Sequence, residues 1–206
     1  MALVKLNNRG VRSATTFGSI TGLGSMVFIK KLTASSSATV SFVDGTSDVV
    51  LDDTYKEYLF TFNNIHPSAD TTDLDFQGST DGGSSYGVTA TTTCFTAQHD
   101  EADSSTGVGY SSDRDLAQAT GFHGLCIDTG NANDECCAGY LHLFNPSSTT
   151  FVKHFISRVN SYHGSNYSIE AYGAGYFNTT SAIDAIQFKF DTGNIDAGDI
   201  CLYGIN

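Results

Sequence analysis

Tryptophan is missing from this 206-residue chain, proline occurs twice, and lysine plus arginine number 10 against 22 aspartates and glutamates. Each shortage removes a class of answer. A protein that tracks phosphates needs clustered lysine and arginine, so a net charge of −12 points away from nucleic acid. Helices would want more lysine, glutamate, leucine and alanine than this composition supplies. There is no run of about 18 apolar residues, which leaves no expected membrane insertion. The opening Met1-Ala-Leu-Val-Lys-Leu-Asn-Asn8 lacks the apolar stretch of a signal peptide. The cysteines are Cys94, Cys126, Cys136, Cys137 and Cys201. An odd count without a secretion signal reads as reduced thiols in a protein made in a cytoplasm. No Cys-x-x-Cys pair is present, and no cofactor, metal or catalytic residue is assigned.

What the chain does have is glycine, 21 of them, with serine, threonine, asparagine and aspartate throughout. Strands joined by polar turns give this balance. Lys56 to Phe62 places Tyr58, Phe60 and Phe62 on one face, and Asp73 to Gln77 alternates with Leu74 and Phe76 inward. Phe151 to Asn160 sets His154, Ile156 and Arg158 opposite Lys153, Phe155 and Val159. Asp44-Gly45 signals a hairpin leading into Val49-Val-Leu51. His99 to Ser112 reads as an acidic loop, and Arg114 to Ala119 as a short helix capped by Asp113. Ile183 to Phe190 and Asp199 to Asn206 read as two strands of a C-terminal hairpin around Asp191 to Gly198. Turn signals every ten residues or so match a sandwich. The expected fold is therefore all-β: an antiparallel β-sandwich of jelly-roll type with at most one short helix, in a single domain over residues 1–206. Residues 1–12 are expected as an N-terminal docking arm or edge strand. Five of the ten basic residues, Lys5, Arg9, Arg12, Lys30 and Lys31, lie near that end, which points to an acidic partner surface. Leu3, Lys5, Arg9 and Arg12 are the expected interface residues.

Several clusters invite chemistry, each with a plainer explanation. Adjacent Cys136 and Cys137 point to opposite sides of a strand and cannot share one zinc. Asp128 to Glu135 is rich in oxygen ligands suited to Ca²⁺, but asparagine, aspartate and glycine are also what turns require. The same holds for His99 to Asp103 as a metal site or a solvated loop. Asp73 and Asp75, two residues apart, share a strand face and would suit a polysaccharide hydrolase if two carboxylates converged about 5–9 Å apart. Tyr162, Tyr167, Tyr172 and Tyr176, with Asn160, His163 and Asn166, are candidate glycan-binding residues, although tyrosine is equally a subunit-contact residue.

Three stretches carry a resemblance. They are Met1-Ala-Leu-Val-Lys-Leu-Asn-Asn-Arg-Gly10; Tyr58-Leu-Phe-Thr-Phe-Asn-Asn-Ile-His-Pro67 with Phe76-Gln-Gly-Ser-Thr-Asp-Gly-Gly-Ser-Ser-Tyr86; and Ile186 to Ile205. Together they resemble small β-sandwich virion-surface proteins, fibre-like or decoration proteins, of tailed bacteriophages, including marine phages. The resemblance spans most of the chain and consists of structural motifs. It implies a non-enzymatic structural protein of the virion, on capsid surface or tail, synthesised in the host bacterial cytoplasm. The implied partners are other virion proteins and further copies in a homo-oligomer. The alternative is a glycan-binding receptor-recognition module at a tail tip, with a host surface glycan as partner. Unlike a long tail fibre, the chain has no shaft-like repeat or coiled coil.

Overall fold

The computed structural model describes residues 26–206, all strand and turn. The expected arm at residues 1–12, with Leu3, Lys5, Arg9 and Arg12, lies outside the described residues. Twelve strands follow: β1 (Met26–Ser37), β2 (Val40–Val43), β3 (Glu57–Pro67), β4 (Leu74–Ser79), β5 (Ala90–Asp100), β6 (Thr106–Tyr110), β7 (His123–Gly124), β8 (Cys137–Phe144), β9 (Lys153–His163), β10 (Tyr167–Phe177), β11 (Ala185–Phe190) and β12 (Ile195–Ile205). Every ladder between them is antiparallel.

They form an eight-stranded sheet in the order β1-β12-β3-β8-β9-β10-β5-β6 and a four-stranded sheet in the order β2-β11-β4-β7. Setting aside β5, β6, β9 and β10 leaves β1-β12-β3-β8 facing β2-β11-β4-β7. That interleaving of two four-stranded sheets is a jelly roll. The two extra strand pairs lie side by side and double the width of one sheet.

Alternation explains the core. Tyr58, Phe60 and Phe62 from β3, Phe155 and Val159 from β9, and Leu74 and Phe76 from β4 are all buried. Rings meet edge-on across the layers: Phe60 and Phe188 at 5.3 Å, Phe42 and Phe60 at 5.3 Å, Phe76 and Phe155 at 4.9 Å. Such pairs contribute about 1 kcal/mol each beyond burial alone.

Four expectations need correction. β11 and β12 are no hairpin: Asp191 to Asn194 carries the chain from the small sheet to the large one, so each strand pairs elsewhere. Val49 to Leu51 is not a strand. Gly45, at φ 71°, closes a local loop, Leu51 N–H donates to Asp44 Oδ1 at 2.8 Å, and Val49 and Leu51 plug the core from that loop. Arg114 to Ala119 is not a helix, because Arg114 is drawn to Asp73 while the Leu116 and Ala119 amides bond β5. The acidic segment contains β6, whose Val108 and Tyr110 alternate with glycines along the sheet edge.

Candidate functional site: the outer face of the wide sheet

Of the eight large hydrophobic side chains exposed among the described residues, seven lie on one surface: Met26, Phe28, Phe95, Val108, Tyr110, Tyr140 and Ile156. That surface is the side of the eight-stranded sheet turned away from the small sheet. Only Phe151, in the loop before β9, lies elsewhere.

Register assembles it. In antiparallel ladders, directly opposed residues share a face. One row runs Tyr110, Phe95, Tyr172, Arg158 and Tyr140 across β6, β5, β10, β9 and β8, and continues through Thr61 and Cys201 to Lys31. A second row carries Ala174, Ile156, His142, Leu59, Tyr203 and Phe28. The aromatic half of the face thus rests on the strands that widen the jelly roll.

Its local geometry is ordered. The Phe95 and Tyr172 rings stack at 4.7 Å with an interplanar angle of 4°. That distance matches the spacing of neighbouring strands, so both rings stand upright and cover each other's faces. The Arg158 guanidinium lies 5.3 Å from the Tyr172 centroid and is bonded through Nε to Glu170 Oε1. This partner holds the Glu170 carboxyl below its usual range. Asn160 Nδ2 donates to Ser168 Oγ at 2.9 Å and to the Ile169 carbonyl at 3.2 Å. Lys31 Nζ is 3.1 Å from Asp199, and His142 Nε2 is 2.9 Å from Glu57. Arg158, Asn160 and Lys31 are thus each engaged by a neighbour on the face.

The four candidate tyrosines separate. Tyr172 and Tyr176 share this face, the latter beside His154 at 5.7 Å between centroids. Tyr162 shares it at the far end, where its hydroxyl donates to Asn166 Oδ1 at 3.3 Å. Tyr167 points the other way, packing on the small cluster of Cys94, Ile127, Ile169 and Ala171. Sequence alone did not bring Phe95, Tyr110, Tyr140 and Ile156 to the same place; the signal was the alternation within each strand, but the order of strands was hidden.

A second constellation lies outside the small sheet. Asp73, Asp75, Asp113, Asp115 and Asp191 line a cavity of about 180 Å³ with Arg114 and Phe122. Arg114 Nε is 2.7 Å from Asp73 Oδ2, and the Asp128 amide donates to Asp73 Oδ1 at 2.7 Å. Asp73 is therefore committed to holding two loops together. Asp75, across the ladder from Lys189 and Gly124, has no such clamp. Burial raises its pKa to about 7, assisted by the charges of Asp73 and Asp191. Of the two carboxylates considered for hydrolysis, one is a structural tie and the other holds a proton near neutrality.

In the Asp128–Glu135 turn, Asp128 faces Arg114 and His163 at 3.5 Å each, and Glu135 Oε2 accepts the Ala132 amide at 2.6 Å. His99 pairs with Asp103 at 3.1 Å. Among the described residues no three histidine, cysteine, aspartate or glutamate side chains converge as metal ligands, and no helix is long and apolar enough to cross a membrane. The described cysteines are free thiols, Cys137 fully buried beside Cys126.

No family model matches the chain, and neither a curated protein nor a solved structure matches it.

Proposed function

We propose that this chain is a non-enzymatic structural protein of a tailed-bacteriophage virion, carried on the capsid surface or tail and held there by contacts between subunits and with other virion proteins. One observation carries the assembly part: seven of the eight large hydrophobic side chains exposed among the described residues of this acidic chain lie on one sheet face. A concentration of exposed apolar side chains on one face marks a contact surface. The virion part is supported by the three stretches, Met1 to Gly10, Tyr58 to Tyr86 and Ile186 to Ile205, that resemble phage surface proteins, and a jelly roll is a common capsid architecture.

Gold labelling of intact particles with an antibody to this chain tests the reading. Label over heads means a decoration role, and label at tails means an attachment role. Purified particles free of the protein would refute both. The row of exposed Phe95 and Tyr140 with half-buried Tyr172 beside Arg158 favours a second reading, a glycan-binding module at a tail tip. It predicts retention of host polysaccharide on an array, lost in Tyr172→Ala.

A further inference from the structure

We propose that the outer face of the eight-stranded sheet is where a second copy of this chain docks; the inference rests on the assembly reading above and names its surface.

Charge is the first argument. The chain carries −12 overall, yet this face holds only two cations, Lys31 and Arg158, against three carboxylates, Glu57, Glu170 and Asp199. Lys31 and Arg158 are paired with Asp199 and Glu170 on the face itself, and Glu57 lies 2.9 Å from His142. Two copies brought together here add almost no like-charge repulsion, whereas an approach through the acidic remainder would. A strongly basic or acidic partner finds no free charge to read.

Saturation is the second argument. Sugar recognition needs planar polar groups free to bond hydroxyls beside an open ring face. Arg158 is bonded to Glu170, Asn160 to Ser168 and the Ile169 carbonyl, and the stacked Phe95 and Tyr172 rings cover one another. With these groups engaged, a partner meets chiefly the exposed apolar surface of Phe28, Phe95, Val108 and Ile156, which suits packing against another sheet.

Size and shape agree. Eight strands spaced ~4.8 Å and four residue rows spaced ~6.7 Å give a projected area of ~1,000 Å², comparable with the ~800 Å² per partner of a stable interface. Sheets twist with one hand, so a second copy brings a surface of matching twist that nests as sandwich layers do.

The full-length chain is tested by size-exclusion chromatography with light scattering at micromolar concentration. The expected mass is a whole multiple of 21.9 kDa. Phe95→Glu and Ile156→Glu, both at exposed positions, should each weaken association at least tenfold while the far-UV circular dichroism and thermal midpoint are kept. Phe151→Glu, the control off this face, should leave the mass unchanged. A wild-type protein running at 21.9 kDa overturns the inference. So does an oligomer that survives both face substitutions, or a monomer that retains a neutral polysaccharide through Tyr172. Absence of the protein from virions would refute the virion reading and leave this result standing, so the two fail separately.

Discussion

Asp75→Asn is the substitution whose effect follows most directly from the geometry. Asp75 sits on the outer face of the small sheet, in the cavity with Asp73 and Asp191. Burial, then the charges of Asp73 and Asp191, raise its pKa from 3.8 to about 7, against the opposing pull of Lys189 and Arg114. Between those two values the folded protein keeps a proton that the unfolded chain releases. The stabilising contribution of protonated Asp75 is therefore complete below 3.8 and is lost as pH rises through about 7. Three pH units at about 1.4 kcal/mol each give about 4 kcal/mol.

Asparagine has the shape of the neutral acid and does not titrate. The variant should match the wild type at pH 4 to within about 1 kcal/mol and exceed it by about 4 kcal/mol at pH 8. In a chain of this size that corresponds to a rise in thermal midpoint of ~10 °C at pH 8. Urea unfolding from pH 4 to 8, followed by circular dichroism on both proteins, reads the difference directly. A difference that does not change with pH, or a variant less stable at pH 8, would refute the reasoning. The variant should keep the wild-type mass in solution, because Asp75 lies on the opposite side of the sandwich from the proposed docking face.

Three further outcomes are expected. His123 is buried, with both ring nitrogens unpartnered, and burial depresses its pKa to about 4, so its contribution, present above pH 6.5, is lost as pH falls toward 4, by about 3 kcal/mol; His123→Leu should remove that contribution and leave a stability that falls as pH rises in the same urea series. Phe76→Ala, at the ring cluster of Phe155, Phe177, Phe188 and His123, should cost about 3–5 kcal/mol in chemical denaturation. Gly139→Ala should cost about 3 kcal/mol or block folding, since its Cβ would lie 2.2 Å from the Arg158 carbonyl oxygen and 2.6 Å from Val159 Cα, and backbone cannot step aside; thermal melting of the soluble fraction measures it.

Over pH 4 to 6.5 Asp75 and His123 pull in opposite directions, the one losing stability and the other gaining it as pH rises. Their contributions nearly cancel in the wild type. Each single variant should expose the slope of the other, a stricter test than either slope alone.

The sequence was most legible where one strand face is buried. Tyr58, Phe60 and Phe62, Leu74 and Phe76, and Phe155 and Val159 alternate because one side meets the opposite sheet. It was least legible where the chain changes sheets. Ile183 to Phe190 and Asp199 to Asn206 look like a hairpin because local pattern records which residues face inward, not which sheet receives them. Val49 and Leu51 imitate a strand because a loop that plugs a core needs the same apolar residues. Val108 and Tyr110 hid β6, since a strand exposed on both faces leaves no burial pattern. The Asp73 and Asp75 pair was visible, but its division of labour was not, because Arg114 arrives from 41 residues away.

The same limit explains why the docking face was missed while tyrosines of β9 and β10 were noticed. Tyr162, Tyr167, Tyr172 and Tyr176 are conspicuous as a sequence cluster, yet Tyr167 belongs to the interior. The face is built instead from residues scattered between Met26 and Tyr203, one or two per strand, and exists only once the strand order is known. Charge gives it away in retrospect. A chain with more than twice as many acids as bases keeps this surface nearly neutral, pairing Lys31 with Asp199 and Arg158 with Glu170 and setting Glu57 beside His142. Solubility alone gives no reason to spare one face, since exposed pairs contribute at most about 1 kcal/mol to the fold. A surface meant to meet its own copy has such a reason: any unpaired carboxylate there would face, or lie near, an identical one.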